Sequence, residues 1–222
     1  GIHTRRGYGV LIGLSSEKAG QWHGPSNGYQ SSGTVYWRYT YSDSSSFDFH
    51  STGPYATLHD RVTGGIRDGR MGGPQEGLPN HLRWYTMWNF QQTGSSAFVD
   101  FWREGANERG TVVDPIVVGF HGAASTFDTN DLSHSESIGV AVDPESLFEA
   151  QLELRLGSLP SFLTELKADW AEWEMEPAET VVHVSSESQF DNAVEEAEPG
   201  TTIILQNGVY RDDTWVFDGE DS

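Results

Sequence analysis

Cysteine is absent from the 222 residues, so the chain holds no disulfide, no thiolate metal site and no cysteine nucleophile. Lysine is nearly absent: Lys18 and Lys167 stand alone beside 11 arginines. No run approaches the ~18 apolar residues of a membrane-spanning helix, so no membrane span is expected. There is no Gly-x-Ser-x-Gly, P-loop or dinucleotide fingerprint, and the Gly-x-Gly at Gly7–Gly9 is too short to mean anything. The usual signatures of serine hydrolases, nucleotide hydrolases and dehydrogenases are thus missing. The chain starts with glycine and stops at Asp-Gly-Glu-Asp-Ser just after a strand-like run. It is expected to be a piece of a longer exported protein.

What is present is acid and aromatic. Asp plus Glu number 33 against 13 Lys plus Arg, a net charge of −20. Such a surface repels phosphate backbones and anionic membranes, so nucleic acid is not expected as a partner. An acidic, lysine-poor surface suits a high-salt, halophilic setting, where salt screens the repulsion; an ordinary acidic secreted protein would look the same. The 8 Trp, 8 Tyr and 11 Phe are enough to close a core.

Residues 47–122 organise the chain. Short runs rich in Tyr, Trp, Phe, Val and Thr alternate with Thr-Gly-Gly, Met-Gly-Gly-Pro and Gly-Leu-Pro-Asn, which are turn signals. Strands are expected at 9–14, 34–41, 47–50, 55–62, 81–90, 98–102 and 116–121, with the rest of 1–33 as loop. Comparable apolar centres, Tyr36, Leu58, Trp84 and Val117, lie 22, 26 and 33 residues apart. One coil of a parallel β-helix takes about 20–30 residues, within the range of solenoid repeats; a β-sandwich is the other architecture such runs allow. From Asp143 the texture turns helical. Leu147, Phe148, Leu152, Leu154 and Leu156 form an apolar face, Ser146 or Asp143 caps it and Gly157 ends it. Residues 160–173 fit a second helix or an arm, and 170–180 an acidic linker around Pro177. The last unit reads strand 181–184, capped helix 186–197, strand 202–206, then Val209-Tyr210.

That last unit, through Ser188-Gln189-Phe190, Ala193, Ala197, Pro199-Gly200-Thr201-Thr202-Ile203, Leu205 and Gly208-Val209-Tyr210, resembles the start of the right-handed parallel β-helix in chondroitinase-B-like and alginate-lyase-like proteins. The resemblance implies a capping helix and first coil, and carries little chemistry, because one fold hosts many functions. The central part is similar to the end coils and tail of large exported β-helix proteins of carbohydrate-degrading bacteria. This rests on His50, Pro54-Tyr55-Ala56-Thr57-Leu58, Thr63-Gly64-Gly65, Leu78-Pro79-Asn80-His81, Trp88-Asn89-Phe90, Val118-Gly119-Phe120-His121-Gly122 and Ser146-Leu147-Phe148-Glu149-Ala150-Gln151-Leu152.

These resemblances frame the candidate residues. His59, Arg61, Arg67, Arg70, His81 and Arg83 cluster within an otherwise acidic chain. A lyase acting on uronic acids must neutralise a carboxylate, take the proton α to it and protonate the leaving oxygen. Arginine fits the first role, histidine or tyrosine the others. Arg83 as clamp, His81 as base and Tyr85 as acid would share one face of a strand. The plain alternative is a surface strand whose arginines pair with abundant carboxylates. Asp48, His50, His59 and Asp60 could form a metal site or catalytic dyad, Asp48 and His50 sharing a face, or simply bond loop backbone. Trp22, Tyr29, Trp37, Tyr39, Trp84 and Trp88 could stack on sugar rings or fill the core. Glu172, Glu174, Glu176 and Glu195-Glu196-Glu198 offer oxygens suited to Ca²⁺, or a solvated face. Asn89 is placed at a β-helix corner, where stacked amides form ladders.

The resulting expectation is a mostly β chain: β-helix coils and tail over 1–157, an acidic arm over 158–179, and a capping helix with a first coil over 180–222. By resemblance it belongs to a secreted or cell-surface protein that cleaves an acidic polysaccharide by β-elimination, with His59, His81, Arg83 and Tyr85 catalytic and Arg61, Arg67, Arg70, Trp37, Trp84 and Trp88 binding. The alternatives are a non-catalytic binding or capping module, and a self-associating fibre protein.

Overall fold

The computed structural model describes residues 2–17, 22–50, 53–67, 71–72, 79–95, 98–102, 112–175, 180–197 and 201–207. It divides into two compact units, Gly1–Thr164 and Glu165–Ser222.

The first unit is mostly β, and every strand pairing in it is parallel. The chain alternates between two stacks. β1 (His3–Arg5), β3 (His23–Gly28) and β5 (Ser46–His50) form one. β2 (Leu11–Glu17), β4 (Val35–Tyr41), β6 (Leu58–Asp60), β8 (Thr86–Trp88), β11 (Ile116–Val118) and β14 (His134–Glu136) form the other. Along the second stack Leu11, Val35, Leu58, Thr86, Ile116 and His134 stand opposite one another. β7 (Thr63–Gly64), β9 (Gln91–Gln92) and β12 (His121–Gly122) continue it beyond a corner. β10 (Phe98–Val99) pairs with β13 (Thr126–Phe127).

The corners repeat with the same register. Two residues before each of the first five in-register positions lies a left-handed residue: Gly9 (φ +63°), Gly33 (+65°), Ala56 (+53°), Trp84 (+60°) and Asp114 (+46°); before His134 the equivalent Leu132 is extended. Three residues after lies another: Leu14, Arg38, Arg61, Asn89, Gly119 and Ser137. A left-handed residue turns the chain sharply at a cost of about 1–2 kcal/mol for a residue with a side chain. Asn89 therefore has Arg61 and Gly119 as corner neighbours, so the expected amide ladder does not form.

Aromatic rings fill the interior. Tyr36, Tyr39, Phe47, Phe49, Tyr85, Phe90, Phe101 and Phe120 are buried. Phe90 and Phe120 stack at 5.5 Å, and Phe49 meets Tyr85 edge-on at 4.7 Å. Trp37 and Tyr39, candidates for sugar stacking, are both buried.

Several expected elements differ. The stretch around His23–Gly28, expected as loop, is β3, flanked by β1 and β5. Gly24 lies under the Tyr41 ring, where a Cβ would come within 2.6 Å, so packing rather than strand propensity selects glycine there. The strand expected over 81–90 is Thr86–Trp88 alone, because the chain turns at Trp84.

α1 (Leu147–Leu156) is capped by Ser146, whose Oγ accepts from Glu149 N at 3.2 Å, and ends at Gly157 with φ +83°. Its expected apolar face is covered only at the start: Phe148 packs against the Trp37 ring at 5.7 Å, whereas Leu154 is 87% exposed. α2 (Ser161–Met175) carries helix into the expected acidic linker. In the second unit β15 (Thr180–Val184) pairs in parallel with β16 (Thr201–Leu205), joined through α3 (Glu187–Glu195). Ser186 caps α3, and Gln189 Oε1 accepts from Ser185 N at 2.8 Å. Val209 and Tyr210 lie outside the described residues. No helix among the described residues is long and apolar enough to cross a membrane.

Candidate functional site

Burial decides which candidate residues can meet a ligand. His59, His81 and Tyr85 are fully buried. Tyr85 and His59 share a hydrogen bond of 2.9 Å between the hydroxyl and Nδ1. The His81 ring packs 4.7 Å from Phe49, and its Nε2 lies 3.0 Å from Thr57 Oγ1. Burial lowers the pKa of both histidines to about 3, with the His81 charge adding to the effect on His59, and raises that of Tyr85 well above its usual value. The face expected to be shared by residues 81, 83 and 85 does not exist. The left-handed turn at Trp84 breaks the two-residue period, sending His81 and Tyr85 inward and Arg83 outward.

Three expected binding residues hold another part of the chain. The segment 142–149 crosses the β4–β6–β8 surface. Asn89 Nδ2 donates to Val142 O at 2.8 Å and Glu145 O at 2.9 Å, and Asn89 Oδ1 accepts from Val142 N at 2.7 Å. Trp88 Nε1 donates to Pro144 O at 2.8 Å, Trp37 Nε1 to Glu149 Oε1 at 2.8 Å, and Arg61 pairs with Glu145. Arg38 Nε donates to the same Glu149 oxygen at 2.7 Å. Trp37, Trp88 and Arg61 thus clamp this segment.

Asp60 anchors it. Its Oδ1 accepts from Leu147 N at 2.9 Å, and its Oδ2 accepts from Phe148 N at 3.2 Å and from Ser146 Oγ. The carboxylate therefore sits at the positive end of α1. Burial raises its pKa against these bonds. Asp60→Ala should lower stability by about 2 kcal/mol, because Leu147 and Phe148 lose their acceptor. Chemical denaturation measures it; an unchanged midpoint would show that the Ser146 cap suffices alone.

Arg67 donates to Ser44 O at 2.9 Å and lies 5.3 Å from the Trp22 ring, holding a loop. Arg70 lies outside the described residues, as do Glu176 and Glu198. Among the described residues no three His, Asp or Glu side chains are placed to hold a metal ion. Of the second cluster, Asp48 and His50 do meet, with His50 Nδ1 3.1 Å from Asp48 Oδ2. His59 and Asp60 belong to the core and to the α1 cap.

Arg83 and Trp84 remain outside, and they line a hollow of about 370 Å³ with Tyr55, Leu82 and Val113. Its walls are apolar, the rings of Tyr55 and Trp84 lie 6.3 Å apart, and Trp84 is 62% exposed. Tyr55 was not among the expected residues; the ladder Tyr8, Ser32, Tyr55 places Tyr8 two strands away on the same corner. Tyr8 is 76% exposed. At ~4.8 Å per strand the two tyrosines are roughly 10 Å apart along the stack. Arg6 lies two residues before Tyr8, at a neighbouring turn where its backbone N–H donates to Tyr29 O at 3.2 Å. Neither Arg6 nor Arg83 has a carboxylate partner among the described residues.

Among the described residues that line the hollow, Tyr55 and Arg83 carry the polar groups, and the rest of the wall is apolar. No curated protein and no solved structure matches the chain. A family model described as Domain of unknown function (DUF4955) matches residues 20–166, most of the first unit, and the chain belongs to that family.

Proposed function

We propose that the first unit is a segment of a right-handed parallel β-helix from a secreted or cell-surface protein, and that it binds a uronate-containing polysaccharide along the corner carrying Tyr8, Tyr55, Arg83 and Trp84. In-register parallel strands with left-handed corners at matching positions support the fold reading. One observation carries the binding reading. A corner occupied by Gly9, Gly33 and Ala56 on earlier passes holds Trp84, strained and 62% exposed, over an apolar hollow beside Arg83. Strain without burial is the pattern of a residue kept for a ligand. Aromatic faces stack on sugar rings and the guanidinium fork meets a carboxylate.

Binding is favoured over cleavage at this hollow because His59, His81 and Tyr85 are sealed in the core. Calorimetry with a panel of uronate polysaccharides tests the reading. Arg83→Ala should weaken binding about 10–100-fold, the loss of one charge-assisted hydrogen bond. The net charge of −20 repels a polyanion at long range. Raising salt from about 0.01 to about 0.15 M should therefore tighten wild-type binding, since screening reaches the distant carboxylates before the contact at Arg83. Affinity unchanged in Arg83→Ala would sink the proposal.

A further inference from the structure

The parallel stack of the first unit ends in two strand edges. Among the described residues β1 pairs only with β3, β2 only with β4, and β14 only with β11. A strand paired on one side offers a row of free N–H and C=O groups to a further strand. Neither β2 nor β14 contains the proline or lysine that blunts such edges. The apolar core also runs out at both ends. Ile12 on the first pass, and Phe127 and Leu132 on the last, are only partly buried where they pack against it. Ile2, Tyr8 and Leu11 are exposed on the first pass, and Ile138 and Val140 just past β14.

Charges of opposite sign stand at matching places on the two ends. Arg5 closes β1 and Arg6 follows it, both exposed. Asp128 follows β13, which precedes β14 as β1 precedes β2, and Asp131 lies a few residues on. Arg5 stands six residues before Leu11, the in-register residue of β2, and Asp128 six before His134, that of β14. No lysine or arginine occurs from residue 110 to residue 154. The segment 142–149 also has a heading. Val142 meets Asn89, Glu145 meets Arg61 and Glu149 meets Arg38, so it steps toward the first pass. α1 continues it, and its last leucines, Leu154 and Leu156, are exposed.

We propose that the first unit associates head to tail with a second copy of the chain, β14 of one copy pairing with β2 of the next as a further parallel strand. Continuing the register sets His134 of one copy opposite Leu11 of the next, and brings Asp128 of one to Arg5 and Arg6 of the other. Ile12, Phe127 and Leu132 then close one continuous core, which removes their remaining apolar surface from water. Ile138 and Val140 follow β14 at the corner toward which α1 runs, so Leu154 and Leu156 gain apolar cover there. A second copy fits these edges because it supplies the same strand direction, corner spacing and register, with the opposite charge. The contact joins two different edges and leaves one of each free on the pair. It therefore grows an open chain of copies instead of closing as a dimer. The proposal rests on the parallel stack and not on the glycan reading.

Sedimentation velocity of the full chain over a wide range of concentrations tests the proposal. It is run at about 0.15 M salt, where screening limits the repulsion between copies of net charge −20. Wild type should give a series of species that lengthens with concentration. Arg6→Glu and Asp128→Arg should each weaken association about tenfold or more, because each sets like charges against one another at the contact. An equal mixture of the two variants should restore growth, since each presents the charge that the other lacks. Asp128 also accepts from Asn130 N at 3.0 Å, so Thr129→Arg, at the exposed neighbour, repeats the test with that bond intact. Thermal unfolding checks that every variant is folded. A monomer at all concentrations, a dimer that does not grow, or variants that associate like wild type overturn the proposal. A mixture of folded variants that stays monomeric overturns it as well. Polysaccharide affinity and its loss in Arg83→Ala are read separately by calorimetry, so either reading fails without the other.

Discussion

Acidification from pH 7 to about 4.5 should cost the first unit about 5 kcal/mol of stability, enough to unfold a typical domain. His59 and His81 are the cause. Both are buried among aromatic rings, His59 Nε2 and His81 Nδ1 have no hydrogen-bond partner among the described residues, and burial lowers their pKa values to about 3. In the unfolded chain each takes up a proton near pH 6.5. Between about pH 6.5 and 3 the unfolded state therefore holds two protons that the folded state refuses. Stability then falls as pH falls, by about 1.4 kcal/mol per pH unit for each histidine. Asp60 works in the opposite sense. Its raised pKa means that the folded state keeps a proton which the unfolded state has released, so its cost recedes on acidification. Asp100, whose pKa burial also raises, acts in the same sense as Asp60, and His3, whose pKa burial lowers, acts with the two core histidines. Denaturant midpoints at pH 7, 6, 5 and 4.5 measure the slope. His81→Leu, which removes one of the two groups, should roughly halve it. A flat profile down to pH 5 would mean that water reaches these rings.

Trp84→Gly should weaken polysaccharide binding about tenfold while leaving stability within about 1 kcal/mol of wild type. Relieving a left-handed tryptophan gains about 1–2 kcal/mol. Against this stand the extra freedom of glycine in the unfolded chain, about 0.5–1 kcal/mol, and the lost contact with Tyr55, about 0.5–1.5 kcal/mol. Little burial is lost, because the indole is 62% exposed. Binding has no such compensation: one stacking face disappears, and about 1.4 kcal/mol is tenfold in affinity. Calorimetry and thermal unfolding on one preparation read both quantities. Destabilisation well beyond 1 kcal/mol would show that Trp84 serves packing. Unchanged affinity would show that the hollow does not meet the ligand.

The amino-acid sequence determined the β character, the repeated passes and the helix ends. Runs such as VYWRYTY alternate with period two, glycine and proline mark the turns, and Ser146, Gly157 and Ser186 cap by chemistry that acts within a few residues. The side on which each functional side chain lies was decided by the tertiary structure. Alternation within 81–85 holds only if the strand is unbroken, and the left-handed Trp84 breaks it; that corner is set by stacking on Ala56 and Gly33, residues distant in sequence. Trp37, Arg61 and Trp88 read as free binding groups until the segment 142–149 folds across them, more than 50 residues away in the chain. Asp48 with His50 was legible because the two are neighbours on one strand. Their link to Ser26 and His3 was not, since parallel register between strands leaves no local trace in any one of them.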